Sequence, residues 1–328
     1  MRRLNISVNL AMYISVALMG CNSGAVAPSA ATVAGTSANT TRTIQVGLLP
    51  ATDFLGFYVA IENGYFEEQG LKPEVRIMAG GAEIMPALLG GSLDIGITNT
   101  FSHVLAADNG FDLKMITPGS IESRAKPMHA LFVGADSPIR TAKDIEGKNL
   151  AVNTLNNIDH VLLQDWLEHN GADPAKVRFV EIPFPQQPAA LAQGKIDVSA
   201  VSAPFTTIEQ SQGARLIAHH YVDVVDRTMG AYFVAANDWL QNNSDVAKRF
   251  AAAVARGTEF GLRDEAAARR ILAKHLKLEP GLAEQVTIPE LPSRVDPSLI
   301  QWWIDAGVRR GLIKTAVDPQ RMIWDTAR

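Results

Sequence analysis

A nine-residue pattern occurs twice in this chain. Ala87-Leu88-Leu89-Gly90-Gly91-Ser92-Leu93-Asp94-Ile95 returns as Ala190-Leu191-Ala192-Gln193-Gly194-Lys195-Ile196-Asp197-Val198, an offset of 103 residues. Both copies read A-L-x-x-G-x-L/I-D-I/V. The flanks repeat at the same offset: Val75-Arg76-Ile77-Met78 matches Arg178-Phe179-Val180-Glu181, and Leu113-Lys114-Met115-Ile116 matches Leu216-Ile217-Ala218-His219. Strand-like stretches at 44–49 and 149–152 extend the correspondence. A duplication of this length restricts the fold to two copies of one plan.

Within each copy, apolar runs of strand length alternate with helical patterns, Phe57 to Phe66 in the first and Val161 to Leu167 in the second. That alternation predicts parallel strands joined by crossover helices, a β-α-β-α-β unit per lobe. In the repeated pattern the glycine suits a left-handed helix cap, and the chain then turns into a buried strand. Asp94 and Asp197 read as turn residues that bond backbone N–H groups. Two later strands, 130–133 and 232–235, are expected to cross between lobes and form a hinge. This gives lobe one as 43–133 with 230–328, and lobe two as 134–229. The tail reads as helical, with Ser244 capping one helix and Asp296-Pro297 and Asp318-Pro319 starting two more. Trp302, Trp303 and Trp324 are assigned to core packing.

The first residues read as an address. Met1-Arg2-Arg3 precedes a mostly apolar run at 6–19, shorter than the roughly 20 residues that span a bilayer, which is the pattern of a signal peptide over 1–20. Leu18-Met19-Gly20-Cys21 is similar to a bacterial lipobox, so Cys21 is the expected lipidation site; cleavage near Ala25-Val26-Ala27 is the alternative. Residues 21–42 are mostly Ser, Ala, Thr, Gly and Asn and predict a flexible tether with a reach of roughly 25 Å. Cys21 is the sole cysteine of the 328 residues, which excludes an intrachain disulfide and a cysteine metal cluster. The seven histidines show no metal-ligand spacing, and His219-His220 reads as a strand end. With a net charge of −4 and no basic cluster, nucleic-acid binding is not expected. No cofactor motif is present, and a monomer is expected.

In open parallel sheets ligands sit beyond the carboxyl ends of the strands. The loops there are Pro50 to Phe54, Gly80-Gly81-Ala82 and Thr98-Asn99-Thr100 in lobe one. Lobe two supplies Asn153 to Asn157, Phe184 to Gln187 and Ser202 to Phe205. Thr52, Asp53, Phe54, Gly81, Thr98, Asn99, Thr100, Asn156, Asn157 and Ser202 are the candidate ligand-binding residues; the same residue types also cap helices. Loops that run into helix N-termini suit an anionic or strongly polar ligand. Asp53 either caps the first helix or offers a partner to a cationic or N–H group on the solute. Phe57 and Tyr58 lie close enough in sequence to stack on a ring, and Arg124 is assigned to the surface.

Gly64-Tyr65-Phe66-Glu67-Glu68-Gln69-Gly70-Leu71, Gly80-Gly81 and the segment Ser137 to Lys148 (S-P-I-R-T-A-K-D-I-E-G-K) resemble bacterial substrate-binding proteins of the nitrate/sulfonate/taurine importers, a group that includes thiamine-precursor binders. The resemblance implies an α/β two-lobe periplasmic-binding fold of type II, each lobe a mostly parallel sheet flanked by helices. It also implies an exported, non-enzymatic protein that hands a small solute to ABC permease and ATPase subunits. Leu155-Asn156-Asn157 and Val201-Ser202-Ala203-Pro204 depart from the family pattern where the ligand is held. An alkanesulfonate-like anion is the favoured solute; a pyrimidine, thiamine-precursor or aromatic acid is the alternative, followed by an enzyme or a sensor lobe.

Overall fold

The computed structural model describes residues 41–328, apart from 280, 315 and 316. The leader, Cys21 and the tether up to residue 40 lie outside the described residues. Lobe one begins with β1 (Arg42–Leu48), the helices α1 (Leu55–Glu62) and α2 (Tyr65–Glu68), β2 (Leu71–Ile77), α3 (Gly81–Leu89), β3 (Ile95–Asn99), α4 (Thr100–Asp108) and β4 (Leu113–Pro118). A short strand β5 (Ile121–Ser123) leads to β6 (His129–Val133), which opens lobe two. There follow β7 (Asn149–Val152), α5 (Ile158–His169), β8 (Arg178–Glu181), α6 (Gln187–Ala192), β9 (Val198–Ser202), α7 (Phe205–Ser211), β10 (Arg215–Ala218) and α8 (His220–Val224). The chain returns through β11 (Arg227–Met229) and β12 (Ala231–Ala236). It ends with α9 (Asn237–Arg263), α10 (Glu265–Leu276) and α11 (Ser298–Arg309).

The two five-stranded sheets share one plan. Sheet one has the order β2-β1-β3-β12-β4, and sheet two read in the same direction is β8-β7-β9-β6-β10. In each, the three leftmost strands are parallel and the fourth is antiparallel to both neighbours. The antiparallel strand is borrowed: β12 follows lobe two in the chain, and β6 precedes the parallel core of its own sheet.

The repeated pattern does the same local work twice. Gly91 (φ 70°) and Gly194 (φ 66°) occupy the left-handed region just past α3 and α6. Asp94 Oδ2 accepts from the Gln45 N–H and Asp197 Oδ2 from the Asn149 N–H, both at 2.8 Å, pinning each turn to the first strand of its unit. Asp94 also accepts from Trp239 Nε1 at 2.7 Å, which ties α9 to lobe one.

The passage between lobes lies elsewhere than expected. Residues 130–133 and 232–235 do not cross; each strand sits inside a sheet with both edges paired. Five consecutive buried residues in β6 explain the placement, since a strand exposed between lobes could not shelter them. Residues 129–133 therefore belong with lobe two. The crossing is made by β5 and β11, which pair antiparallel as a two-stranded hinge.

The tail packs on lobe one. Phe57 meets Phe66 at 5.2 Å and Phe250 of α9 at 6.0 Å, and Phe233 meets Phe250 at 5.2 Å. Burying each such ring contributes about 2–3 kcal/mol. α9 starts at Asn237 instead of Ser244 and breaks at Asn243, whose φ of −134° is non-helical, so Ser244 is the first residue after the kink. Trp303 is fully buried and donates from Nε1 to Thr228 Oγ1 at 2.5 Å, joining α11 to hinge strand β11.

Candidate functional site: the crevice between the lobes

The carboxyl ends of β1, β2 and β3 face those of β7, β8 and β9 across a crevice of about 520 Å³, open solvent at its mouth included. Lobe one contributes Leu49, Asp53, Phe54, Gly80, Gly81, Ile97, Thr98 and Asn99. Lobe two contributes His129, Asn153, Asn157, Ile158, Asp159, Phe184, Ser202 and Tyr221, and Gly230 and Ala231 lie at the return to sheet one. Of the candidate residues, Asp53, Phe54, Gly81, Thr98, Asn99, Asn157 and Ser202 line this space. Gly81 permits the close approach, because a Cβ there would lie 2.9 Å from Thr98 Oγ1.

Thr52, Thr100 and Asn156 are placed differently. Thr52 bridges the lobes behind the crevice, its N–H donating to Ala203 O at 3.3 Å and its hydroxyl 3.9 Å from Met128 Sδ. Thr100 donates to Met229 O at 2.7 Å, anchoring α4 to β11. Asn156 has a left-handed backbone (φ 57°) and its N–H donates to His160 Nδ1 at 3.0 Å, on the outer surface. Phe57 is core, and Tyr58 packs on His275. Arg124 holds Asp226 at 2.8 Å beside the hinge and does not line the crevice.

Two of the helices that start at the crevice, α4 and α5, are capped by their own asparagines. Asn99 Oδ1 accepts from Ser102 N at 2.8 Å and Asn157 Oδ1 from His160 N at 3.0 Å. Asn157 also donates to Asn153 Oδ1 at 2.7 Å, and Asn153 Nδ2 reaches Ala79 O of lobe one at 3.4 Å.

The floor is a buried set of acids and imidazoles. Asp53 Oδ1 accepts from Ser120 Oγ at 2.5 Å. Burial raises the Asp53 carboxyl above its ordinary range, with His129 acting in the opposite sense. Glu122, fully buried on hinge strand β5, accepts from the Met128 N–H at 2.8 Å and from His129 Nδ1 at 3.0 Å. His129 stacks on Tyr221 at 3.9 Å with ring planes 9° apart. Burial opposes charge on His129 most strongly, but Glu122, then Asp159 and Asp53, outweigh it and hold the imidazole above its ordinary value. Asp159, at 1% exposure, takes a 2.7 Å contact from His220 Nε2 through Oδ1, while its Oδ2 has no protein partner. Ser202 Oγ is buried and unpartnered as well. A buried polar atom left unpaired costs about 1–3 kcal/mol, more if charged, so both atoms are poised to gain from a guest.

His129, Asp159, Tyr221 and the supporting Glu122 and His220 escaped the sequence reading, whereas Phe184 comes from a loop that the sequence places at the site. Asp159 was within reach of it, since it follows Asn157 in the first turn of a helix whose start faces the crevice. His220 is no strand end: it opens α8 and is fully buried against Asp159.

Two α/β lobes on a paired hinge, with a polar crevice at their strand tips, define a two-lobed binding-protein fold. The alkanesulfonate-binding protein SsuA of Xanthomonas axonopodis pv. citri, solved with MOPS bound, shares it at a TM-score of 0.72 and 20% identity, covering 86% of this chain and 98% of that one. The desulfurization enzyme DSZB shares it at 0.62 and 16%, over 86% and 96%. A putative aliphatic sulfonates-binding protein of Escherichia coli (strain K12) is 22% identical over 250 residues, 74% of this chain and 76% of that protein. The family described as NMT1/THI5 like matches residues 51–268, more than half of the chain, and the protein belongs to that family.

Proposed function

We propose that this protein is the extracytoplasmic solute receptor of an ABC importer, tethered by lipid at Cys21 and monomeric. It captures a small polar solute in the interlobe crevice and delivers it to the permease and ATPase subunits. The carrying observation is the crevice itself: polar side chains from both strand-tip surfaces converge on it beside the β5 and β11 hinge. The name of the E. coli relative, an aliphatic sulfonates-binding protein, supports the solute-binding part of this reading. A catalytic reading, prompted by the shared fold of a desulfurization enzyme, lacks its machinery. Among the described residues no serine, threonine or cysteine is hydrogen-bonded to His129 or His220, and no group of three His, Cys, Asp or Glu residues is arranged to hold a metal.

The alkanesulfonate expectation has the relative's name in its favour and the charges of the crevice against it. No Lys or Arg lines the crevice, and Asn99 and Asn157 each already take one N–H at the starts of α4 and α5, although the start of α3 at Gly80-Gly81 carries no side-chain cap. A ring-bearing solute such as a pyrimidine is favoured by the aromatic wall of Phe54, Phe184 and Tyr221 beside acceptor carboxylates.

The receptor reading is tested by melting the purified protein with panels of sulfonates, nitrate, pyrimidines, amines and aromatic acids. A ligand of the folded state raises the melting temperature with the logarithm of its concentration relative to its Kd. One saturable binder with one site per chain is expected; a panel that leaves the melt unmoved counts against it. Anchoring is read separately: Cys21→Ser should abolish labelling by a fatty-acid probe and move the protein from the membrane to the soluble fraction. Retained labelling would refute the anchor.

A further inference from the structure

We infer that the solute presents a cationic N–H group, an ammonium or amidinium, which is gripped from opposite lobes by Asp159 and Asp53. The inference rests on the receptor reading and adds the solute's charge to it. Asp159 is at 1% exposure, with one oxygen on His220 and the other unpartnered, and it lines the crevice. Ser202, also at 1%, adds an unpartnered hydroxyl on the same wall. Asp53, at 5%, stands on the facing lobe with its Oδ1 held by Ser120.

The charge balance points one way. Glu122 is matched by His129, its own bonded partner, and is fully engaged in the hinge. Asp159 has His220 on one oxygen and no partner on the other, and Asp53 is held by the Ser120 hydroxyl, so three carboxyls stand against two imidazoles with no lysine or arginine among the lining residues. Buried charges persist where they are paired, and the missing counter-charge is what a bound cation brings. An anion placed there would meet two carboxylates at close range in a poorly solvated space. Tyr221 adds an aromatic wall to which an organic cation is attracted.

The test uses charge-matched probes on the purified protein: benzamidine, phenethylamine and agmatine as cations, benzamide and phenylethanol as neutral analogues, and benzenesulfonate, ethanesulfonate and nitrate as anions. Melting shifts are followed by calorimetric titration. The expected result is a shift for cations alone, with affinity for the strongest cation falling about tenfold or more in Asp159→Asn and in Asp53→Asn. Circular dichroism of each variant reports folding; if either unfolds, the charge-matched comparison on the unaltered protein decides. Binding of anions or neutral analogues as tightly as cations would overturn the inference and leave the receptor reading standing. No binding by any of the probes or the earlier panels would overturn both.

Discussion

His103 carries a burial cost that the fold accepts for the sake of a connection. It lies inside α4 with no exposure; its Nε2 donates to Leu113 O at 3.0 Å and its Nδ1 faces Tyr232 Oη at 3.2 Å. That pair of bonds joins a helix to strands β4 and β12 and suits the neutral ring. Burial pushes the imidazole down to about 4. The unfolded chain protonates this histidine near its ordinary value of about 6.5, so below that pH the unfolded state binds the extra proton and stability falls until about pH 4. His103→Gln, which keeps a donor and an acceptor, should remove roughly 2–3 kcal/mol of that acid loss. Denaturant melts of both proteins at pH 7 and pH 4.5 check it; parallel loss in the two would disprove the assignment.

Among the elements, the crossing of α1 and α9 is the tightest. Gly56 and Gly257 meet there: a Cβ on Gly56 would lie 2.8 Å from Val254 O, and one on Gly257 would fall within the Gly56 carbonyl. Neither glycine has a positive φ, so backbone approach is their purpose. Gly257→Ala should cost about 2–3 kcal/mol by overpacking, read as a lowered midpoint in denaturant. A second element contact acts between lobes. Arg310, just beyond α11, binds Asp165 and, at 2.9 Å, Glu168, both on α5 of lobe two. This clasp is half-sheltered, with Arg310 at 17% exposure and Asp165 at 20%. It bridges the lobes through residues that do not line the crevice. Arg310→Ala should weaken solute binding roughly five- to thirtyfold, equivalent to about 1–2 kcal/mol, by favouring the open form. Unchanged affinity with unchanged stability would show that the clasp is idle.

At the scale of the whole molecule, the duplicated plan was legible because its causes are local. A glycine cap, an aspartate that bonds the neighbouring strand and an apolar run leave the same trace twice, at 87–95 and 190–198. The polar loops at the strand tips were legible for the same reason, and ten of their residues line the crevice. The hinge was not legible, because β5 and β11 are three residues long and carry no periodic signal. Long apolar stretches nearby drew the assignment to β6 and β12 instead. The acids and imidazoles of the floor were hidden for another reason: Asp159 and His220 stand 61 positions apart and His129 precedes both on another strand, so only the folded chain assembles them. Charge follows from that assembly. Hydroxyl and amide loops suggested a place for an anion, whereas a floor with three buried carboxyls against two imidazoles argues for the opposite sign.

The position of the solute is the most direct test of the account. A crystal grown with the strongest binder from the charge-matched panel should show one molecule between Asp53 and Asp159. The lobes should be closed and Arg310 should rest on Asp165. A solute bound on the outer surface near Met85 and Phe111, or in the crevice with an anionic group against those two aspartates, would contradict it.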